Sequence, residues 1–313
     1  MRILDSIDAL AEVKNPVVLA AGVFDGMHLG HQAVLKEALK EADQINATAV
    51  ALTFDPHPAT ILRPDSAPRM LTSREFKLHL MARLGFTHAL VVNFTPRFAS
   101  LEAVDFVAEL CKAASPLAGI CIGEGWHFGR GRLGDAALLR KLGAEYGFFT
   151  KEVPHVRSNG DVVSSTLIRQ TIANGDMQKA SRLLGRPFAI PGIVQRGAGI
   201  GHQLGFPTAN LATGHEQYPP DGVYAVGVTV DGEHHRGVAN IGIRPTVTKS
   251  LNRVLEVHLF NFSGDLYGSE IEVAFLHFLR PEIKFENIAA LRARIELDVV
   301  AAHDWHLQQD KPA

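Results

Sequence analysis

Five apolar runs alternate with segments of helical length in the first part of the chain, and this alternation limits the possible folds more than any other feature of the sequence. The runs predict strands over residues 17–22, 48–54, 89–94, 119–123 and 148–153. The segments between them predict helices over residues 31–43, 73–84, 101–112 and 135–146. Runs this continuous in Val, Ile, Leu, Ala and Phe are typical of parallel strands that are buried on both faces. We therefore predict a doubly wound α/β domain, a fold that binds its ligands at the carboxyl ends of the strands.

The pattern changes near residue 185, beyond which turn residues separate short strand-like runs. Strands are predicted over residues 189–195, 223–230, 235–241, 253–262 and 270–279, and Asp231-Gly232 predicts a type I′ turn. Short strands at regular spacing favour a small antiparallel β-barrel. The segment 285–303 has apolar residues on one helical face, which predicts a C-terminal helix packed on that barrel. These residues are Ile288, Leu291, Ile295, Val299 and Val300.

A chain of 313 residues is long enough for two domains at roughly 150 residues each, and we place them at residues 1–182 and 183–313, with the linker within 175–191. The formal net charge of −2 argues against a general binder of nucleic acid or anionic membranes. The two cysteines, Cys111 and Cys121, exclude a disulfide scaffold and a cysteine-rich zinc site. Since no apolar run has transmembrane length and the start of the chain has no apolar core of signal-peptide length, we expect a cytoplasmic protein. The sequence leaves the oligomeric state open.

A glycine-containing turn with two histidines directly follows the first predicted strand. His28 and His31 are three residues apart, so they share one face of the first helical turn. Gly26 and Gly30 allow close approach of a ligand, and a helix N-terminus attracts anions. Two imidazoles at that position can donate to phosphate oxygens and stabilise charge that develops at phosphorus. The turn therefore predicts a nucleotide site, and an exposed turn without a ligand is the alternative.

A second phosphate-binding pattern lies near the end of the same domain. Ser165 and Thr166 precede Arg169 by about one helical turn, which groups two hydroxyls with a guanidinium. An N-capping serine followed by a surface arginine is the alternative. With the His-x-Gly-His turn, the pattern resembles the nucleotidyltransferase superfamily, in which a phosphate or carboxylate oxygen attacks the α-phosphorus of a nucleotide and pyrophosphate leaves. Class I aminoacyl-tRNA synthetases share the histidine motif, but the Lys-Met-Ser-Lys-Ser loop that they usually add is missing here.

The second domain opens with a glycine loop, residues 197–205. It is not a Walker A loop, since no Gly-Lys-Ser/Thr follows. Its glycines can expose backbone N–H groups to phosphates. The Thr208 hydroxyl and the Asn210 amide oxygen are hard ligands that suit Mg²⁺. Glu256 lies in an otherwise apolar strand, where its carboxylate can accept a proton from an attacking hydroxyl. The alternatives are ordinary turns, a local cap, and one polar position on the solvent face of a strand.

Together these motifs resemble the prokaryotic bifunctional riboflavin kinase/FAD synthetase family, and the resemblance covers nearly the whole chain. In the first domain it is carried by residues 22–31, 53–58, 71–73, 128–129 and 164–169. In the second domain it is carried by residues 204–210, 222–225, 240–246, 255–258 and 265–268. The order of the motifs and the division into domains agree with the family as well.

The resemblance implies two reactions that share ATP as co-substrate. The barrel domain would phosphorylate riboflavin to FMN, and the α/β domain would transfer AMP from a second ATP to FMN, giving FAD and pyrophosphate. The implied catalytic residues are His28, His31 and Arg169 at the adenylyl site and Glu256, as base, at the kinase site. The implied nucleotide-binding residues are Gly22, Phe24, Asp25, Gly26, Gly30, Ser165, Thr166, Gly199, Gly201, Gly205, Thr208 and Asn210. Thr208 and Asn210 would also bind Mg²⁺, and His57 would lie at the rim of the adenylyl site.

Two residues depart from the family pattern. Gly125 stands where the family usually has Asp or Asn, which removes a polar contact from the adenylyl site, and His202 stands where arginine is usual in the kinase loop. Candidates for the flavin-ring pocket are Phe24, Phe54, Trp126 and Phe128. The departures leave open a chain in which only the kinase is active, or a non-catalytic sensor of flavins or nucleotides. The retained histidine pair, Arg169 and Glu256 disfavour the sensor, and the charge disfavours a nucleic-acid-binding barrel.

The histidine at position 202 leads to a prediction about ATP binding at the kinase site. Histidine is only partly charged near neutral pH, whereas arginine is always charged and binds phosphate in a bidentate manner. His202→Arg should therefore lower the KM for ATP in riboflavin phosphorylation, with the larger effect at pH 8, where histidine is neutral. Steady-state kinetics between pH 6 and 8 measure this effect, and an unchanged KM over that range would contradict the prediction.

Overall fold

The computed structural model describes residues 1–114, 116–197, 200–213, 217–244 and 252–310. The chain divides into two compact units, Met1–Ser165 and Thr166–Ala313. The boundary expected between the two activities, at residues 182/183, stays a prediction. Over the described residues, no helix combines the length and the apolar character that crossing a membrane requires.

A sheet of six parallel strands forms the centre of the first unit. The strands are β1 (Arg2–Leu4), β2 (Val17–Ala21), β3 (Thr48–Asp55), β4 (His88–Asn93), β5 (Leu117–Gly123) and β6 (Phe149–Val153). Their order across the sheet is β1-β4-β3-β2-β5-β6. All five predicted strands are confirmed. The sequence does not predict β1, because three residues at the edge of a sheet are too few to show a pattern.

The helices of this unit include the four that the sequence predicts, which are α1, α3, α5 and α6. The α-helices are α1 (Leu29–Gln44), α2 (Pro58–Leu62), α3 (Arg74–Arg83), α4 (Pro96–Ala99), α5 (Ala103–Ala113) and α6 (Ala136–Tyr146). Short 3-10 helices span Ile7–Glu12, Pro64–Ser66 and Arg130–Arg132, and β7 (Arg157–Ser158) pairs with β8 (Asp161–Val162). α3 begins after Ser73, whose Oγ accepts a hydrogen bond from the Phe76 backbone N–H at 3.1 Å.

The core of the first unit lies against this sheet. β2 is buried along its whole length. Leu10, Phe106, Leu110 and Leu139 pack on the sheet from the flanking helices. Each large apolar side chain buried in this way contributes about 1.5–3 kcal/mol of stability. The core therefore fixes the strands, and the loops at their ends are available for ligand binding.

The order of the strands reverses between β2 and β5. From β2 the chain moves outward through β3 to β4, and it then returns to pair β5 with the other side of β2. In an open parallel sheet, the crevice at such a reversal lies outside the carboxyl ends of the strands and receives the ligand. The segments that leave β2 and β5 at this edge are residues 22–28 and 124–128, so the fold brings the histidine turn and Gly125 to one edge of the sheet.

A closed antiparallel barrel forms the centre of the second unit. Its strands are β9 (Phe188–Gln195), β10 (Ala209–Ala212), β11 (Gly222–Val230), β12 (Glu233–Arg244), β13 (Asn252–Leu259) and β14 (Glu270–Pro281), in the order β10-β13-β12-β11-β14-β9. The helices are α7 (Ser165–Ala173), α8 (Met177–Leu184), α9 (Ile200–Gln203) and α10 (Ile288–Gln309). The predicted barrel is confirmed. So is the turn at Asp231-Gly232, where φ is 49° and 86°.

α10 packs on the barrel as predicted, and three of the five predicted contact residues, Leu291, Ile295 and Val299, are partly buried. Ile288 and Val300 were expected in the contact, yet they are 69% and 56% exposed, and the prediction is wrong at these two positions. The buried positions are Asp298, Ala302 and His306. The physical reason is an ion pair between Asp298 and β14, which draws a polar residue into the contact and sets the rotation of the helix.

Candidate active sites

Residues 22–28 leave β2 in a tight turn that ends at the first histidine. Phe24 and Met27 have φ angles of 55° and 47°, which non-glycine residues rarely adopt. Gly26 has a φ of 87°, and a Cβ there would lie 2.8 Å from the Leu71 side chain. Only glycine therefore fits at this point, and the turn needs outside support for its other two unusual residues.

His28 and His31 lie side by side at the start of α1. Nδ1 of His28 caps the helix by accepting a hydrogen bond from the His31 backbone N–H at 3.3 Å. The two rings are stacked with their centroids 3.5 Å apart. Gly30 leaves room for the pair, since a Cβ there would lie 3.1 Å from Cε1 of His28. Because Nδ1 of His28 is an acceptor, we assign its ring proton to Nε2, which leaves an N–H to donate at a helix end that attracts anions.

Asp25 supports the turn from inside. Its side chain is 2% exposed, and Oδ1 accepts hydrogen bonds from the backbone N–H groups of Leu71 at 2.9 Å and Thr72 at 3.2 Å. Ser165 Oγ donates to the Asp25 carbonyl oxygen at 2.9 Å. Phe24 is equally buried and packs edge-on against the ring of the second histidine. Any contact between these two predicted residues and a nucleotide therefore falls to their backbone atoms.

The predicted phosphate-binding pattern at residues 164–169 spans the division between the two units. Ser165 is the last residue of the first unit and reaches the histidine turn through Asp25. Thr166 and Arg169 follow on α7 in the second unit, and their contribution to the adenylyl site stays a prediction. The predicted residues that the first unit brings together are Gly22, Phe24, Asp25, Gly26, His28, Gly30, His31 and Ser165.

An aromatic cavity of about 590 Å³ lies at the carboxyl ends of β3, β4 and β5. Its aromatic lining consists of Phe54, Phe94, Phe98, Phe106, Trp126 and Phe128. Trp126 and Phe128 are stacked with centroids 4.8 Å apart. His57, Arg63 and Arg132 add polar groups to the lining. A cavity of this kind suits a planar aromatic ligand with an anionic substituent.

The cavity includes three of the four aromatic residues proposed from the sequence for the flavin ring. Phe24 is the exception, because it is buried in the core beneath the turn. The sequence does not single out Phe94, Phe98 or Phe106. For Phe94 a signal was available, because it directly follows β4 and therefore lies at the edge of the sheet where ligands bind. Gly125 lines the cavity with a φ of 74°, and no atom lies within 4 Å of a Cβ built there.

A second cavity, of about 320 Å³, lies in the barrel unit. Thr208, Asn210 and Glu256 all line it. Glu256 on β13 is paired in register with Asn210 on β10 and with Asn240 on β12. Directly opposed residues of antiparallel neighbours project from the same face, so one carboxylate and two amides form a row across three strands. The row places a proton acceptor beside oxygen ligands.

The glycine loop packs against one end of this row. Gly201 lines the cavity, and a Cβ there would lie 2.9 Å from Thr208 Oγ1, so no larger residue fits beside the hydroxyl. Gly205 has a φ of 89° and open space around it, and it serves the turn that leads to β10. Gly199 and the side chain of His202 lie outside the described residues.

The C-terminal helix closes one side of the barrel cavity through a buried ion pair. Arg280, at the end of β14, donates to both carboxylate oxygens of Asp298 on α10, at 2.8 and 2.5 Å. Arg294 donates to the same carboxylate at 3.2 Å. Leu291 and Ile295 of α10 add the apolar part of the wall. The cavity therefore has its shape only while the helix is docked.

Many of the lining residues were not proposed from the sequence as site residues; the charged and amide-bearing ones are Asn240, Arg280, Glu282 and Asp298. Asn240 lies in a family motif and is paired with the predicted base Glu256, so the strand pairing identifies it as a site residue. Arg280 and Asp298 are 18 residues apart, and no local pattern links them. Burial raises the pKa of Glu282, the negative charges of Asp221 and Glu256 raise it further, and Arg280 opposes them.

Comparisons with known proteins cover both units. The family model described as FAD synthetase matches residues 10–167, and the one described as riboflavin kinase matches residues 184–306. The chain is 38% identical over 307 residues to the bifunctional riboflavin kinase/FMN adenylyltransferase of Escherichia coli strain K12, which covers 97% of this chain and 98% of that protein. It is 37% identical over 303 residues to the protein of the same name from Pseudomonas fluorescens, covering 96% and 97%.

A solved structure is similar over a comparable range. It is described as a macrolide-efflux protein from Streptococcus pneumoniae, and it superimposes with a TM-score of 0.82 at 30% sequence identity. The match covers 95% of this chain and 96% of that one. The arrangement of elements is therefore shared over nearly the full length.

The buried ion pair gives a prediction about the stability of the barrel unit. Asp298→Asn leaves the Arg280 guanidinium buried without its countercharge, so it should destabilise this unit by about 3 kcal/mol and slow riboflavin phosphorylation. Asp304→Asn, on an exposed position of the same helix, should change stability by less than about 0.5 kcal/mol. Chemical denaturation followed through Trp305, in a Trp126→Phe background, reports on α10 alone. Equal stability of the two variants would contradict the assignment.

Proposed function

Because the chain belongs to the bifunctional riboflavin kinase/FMN adenylyltransferase family, we propose that the histidine turn of the first unit and the cavity of the barrel unit are its two active sites. The enzyme phosphorylates riboflavin to FMN and adenylylates FMN to FAD, and ATP is the co-substrate of both reactions. The observation that carries the assignment is that Thr208, Asn210 and Glu256 line one cavity of the barrel unit. The stacked histidine pair belongs to the other unit.

At the adenylyl site, the histidine pair receives the phosphates of ATP. An oxygen of the FMN phosphate attacks the α-phosphorus, a new P–O bond forms, and the bond to the β-phosphate oxygen breaks as pyrophosphate leaves. The Nε2–H of His28 and the N-terminus of α1 stabilise the charge on the transferring phosphate. Ser165, Thr166 and Arg169 complete the grip on the phosphates. No protein nucleophile takes part, so the rate depends on positioning and charge.

The aromatic cavity beside this turn receives the isoalloxazine ring of FMN. Val23, the residue before Phe24 in the turn, is part of its lining, so the flavin and the nucleotide sites adjoin. Stacking on Trp126 and Phe128 holds the ring, and Arg63 and Arg132 offset the negative charge of the FMN phosphate.

At the kinase site, Glu256 accepts the proton of the ribityl hydroxyl as that oxygen attacks the γ-phosphorus of ATP; the bond from the γ-phosphorus to the bridging oxygen breaks, and ADP leaves. The backbone of Gly201 and Gly205 contacts the phosphates. Thr208 and Asn210 suit Mg²⁺, since both present oxygen atoms beside a loop in which Gly201 leaves space. The described residues hold no cluster of three acidic, histidine or cysteine ligands, so the ion would be held by these few oxygens and by ATP. When bound, Mg²⁺ neutralises charge on the phosphates.

The two alternatives that the sequence leaves open, a non-catalytic sensor and a chain with only the kinase active, have less support. A non-catalytic sensor does not need a carboxylate between two amides in the lining of a cavity. A chain with only the kinase active rests on Gly125 alone, and the rest of the aromatic cavity is present. The cytoplasmic location stays a prediction.

Separate active sites predict separate losses of activity. His28→Ala removes a donor to the transferring phosphate and should lower FAD formation from FMN about 100- to 1000-fold, with riboflavin phosphorylation unchanged. Glu256→Ala should lower FMN formation at least 100-fold and leave FAD formation from supplied FMN unchanged. Each reaction is measured by chromatography of the flavins, and thermal unfolding followed by circular dichroism shows that each variant is folded. A variant that is folded but inactive in both reactions would contradict the assignment.

The open space at position 125 predicts a gain of affinity. Gly125→Asn places an amide in the cavity at a φ that asparagine tolerates, and one added hydrogen bond of about 1 kcal/mol should lower the KM for FMN roughly fivefold. Gly147→Asn is the matched control, because Gly147 has a φ of 83° and equal space but caps α6 outside the cavity. Equal KM values in the two variants would show that position 125 does not face the flavin.

A further inference from the structure

A buried lysine lies beneath the histidine turn and takes no part in the reactions described above. Lys77 extends from α3 with a side chain that is almost fully buried. Its Nζ donates to the Val23 carbonyl oxygen at 3.2 Å, to Thr53 Oγ1 at 3.0 Å and to the Phe54 carbonyl oxygen at 3.4 Å. An ammonium group has three donors and no acceptor, so its hydrogen-bonding capacity is fully used.

The three acceptors belong to the two strand ends that carry the adenylyl site. Val23 opens the turn that ends at the histidine pair, and Phe54 is the last aromatic residue of β3 and lines the flavin cavity. Thr53 Oγ1 also donates to the Val23 carbonyl oxygen, at 2.9 Å. Lys77 therefore completes a network that joins the nucleotide turn to the wall of the flavin cavity.

The same turn is tied to the loop before α3 by independent contacts. Asp25 accepts from the backbone of Leu71 and Thr72, and the Gly26 backbone N–H donates to Thr72 Oγ1 at 3.1 Å. The turn is thus fixed at its middle by this loop and near its start by Lys77 and Thr53, which both donate to the Val23 carbonyl oxygen. Without Lys77, Thr53 alone of these two donors holds the Val23 carbonyl in the orientation that precedes the left-handed φ of Phe24.

We propose that Lys77 is a positioning residue for adenylyl transfer, whose ammonium group fixes the ends of β2 and β3 so that the histidine pair and the flavin cavity keep their alignment. The inference rests on the proposed function of the histidine turn. Lys77 does not line the aromatic cavity, so it acts through the backbone of Val23 and Phe54.

The charge of the group is part of this role. Burial lowers the pKa of Lys77 to about 8, against the attraction of Asp25 in the turn and Asp55 at the end of β3; Arg74 on α3 adds to the lowering. Below this pKa the amine is a cation with three donors; above it, the amine loses one donor and the attraction of both carboxylates. A buried cation is costly, and apolar residues of similar volume often stabilise a fold as well. A role confined to stability therefore gives no reason for a lysine here.

The experiment compares Lys77→Met with Lys40→Met in the full-length protein. Lys40 is an exposed lysine of α1 in the same unit, with a surface ion pair to Glu37. We expect Lys77→Met to lower kcat for FAD formation from FMN at pH 7.5 at least tenfold, whereas Lys40→Met stays within twofold of the wild type. Riboflavin phosphorylation by the barrel unit should be unchanged in both, and thermal unfolding followed by circular dichroism reports on the folding of the first unit. A kcat within twofold of the wild type in Lys77→Met would overturn the proposal.

A second readout keeps the proposal testable if Lys77→Met does not fold. In the wild type, the ratio of the adenylyl rate to the kinase rate should fall about tenfold between pH 7 and 9 as the ammonium is lost. In Lys77→Arg, which stays charged, the ratio should hold to pH 9. A wild-type ratio that is constant over this range would overturn the proposal. His28→Ala separates the two levels of inference. If His28→Ala leaves FAD formation intact, the proposed function of the turn has failed. If only Lys77→Met leaves it intact, the inference about Lys77 has failed.

Discussion

The parallel pairing of β2 with β5 is the constraint on which the first site depends. It reverses the order of the strands, so the segments after these two neighbouring strands leave the sheet in a common crevice. That crevice contains a turn with three left-handed residues, and such a turn is not stable by itself. Its support comes from far along the chain: Asp25 is bound by Leu71, 46 residues away, and by Ser165, 140 residues away. The site is thus a product of tertiary structure built around a local motif.

In the barrel unit, the register of the strands brings the candidate site residues together. Antiparallel pairing sets Asn210, Glu256 and Asn240 opposite one another, and a slip of one residue would turn all three to the other face. The apolar residues next to them, Leu255 and Val257, are fully buried and oppose such a slip. The C-terminal helix then encloses the row from one side, held by Arg280 and Asp298.

The sequence predicts what is local and periodic. Long apolar runs identify the parallel strands, Asp231-Gly232 identifies a hairpin, and the motif spacing identifies the family. Elements of three or four residues, such as β1 and β10, carry too few residues for a pattern. The prediction of which α10 residues face the barrel is wrong at Ile288 and Val300, because an ion pair, not periodicity, sets the rotation of that helix. The aromatic cavity and the contacts of Lys77 join residues from several strands, so only the fold reveals them.

Incubation of the purified wild-type protein with riboflavin, ATP and Mg²⁺, followed by chromatography of the flavins, tests both proposed sites in one chain. If both sites work, FMN rises first and FAD then appears at its expense. FMN that accumulates without FAD would contradict the assignment of a working adenylyl site with glycine at position 125. Riboflavin that remains unchanged would contradict the kinase site built on Thr208, Asn210 and Glu256.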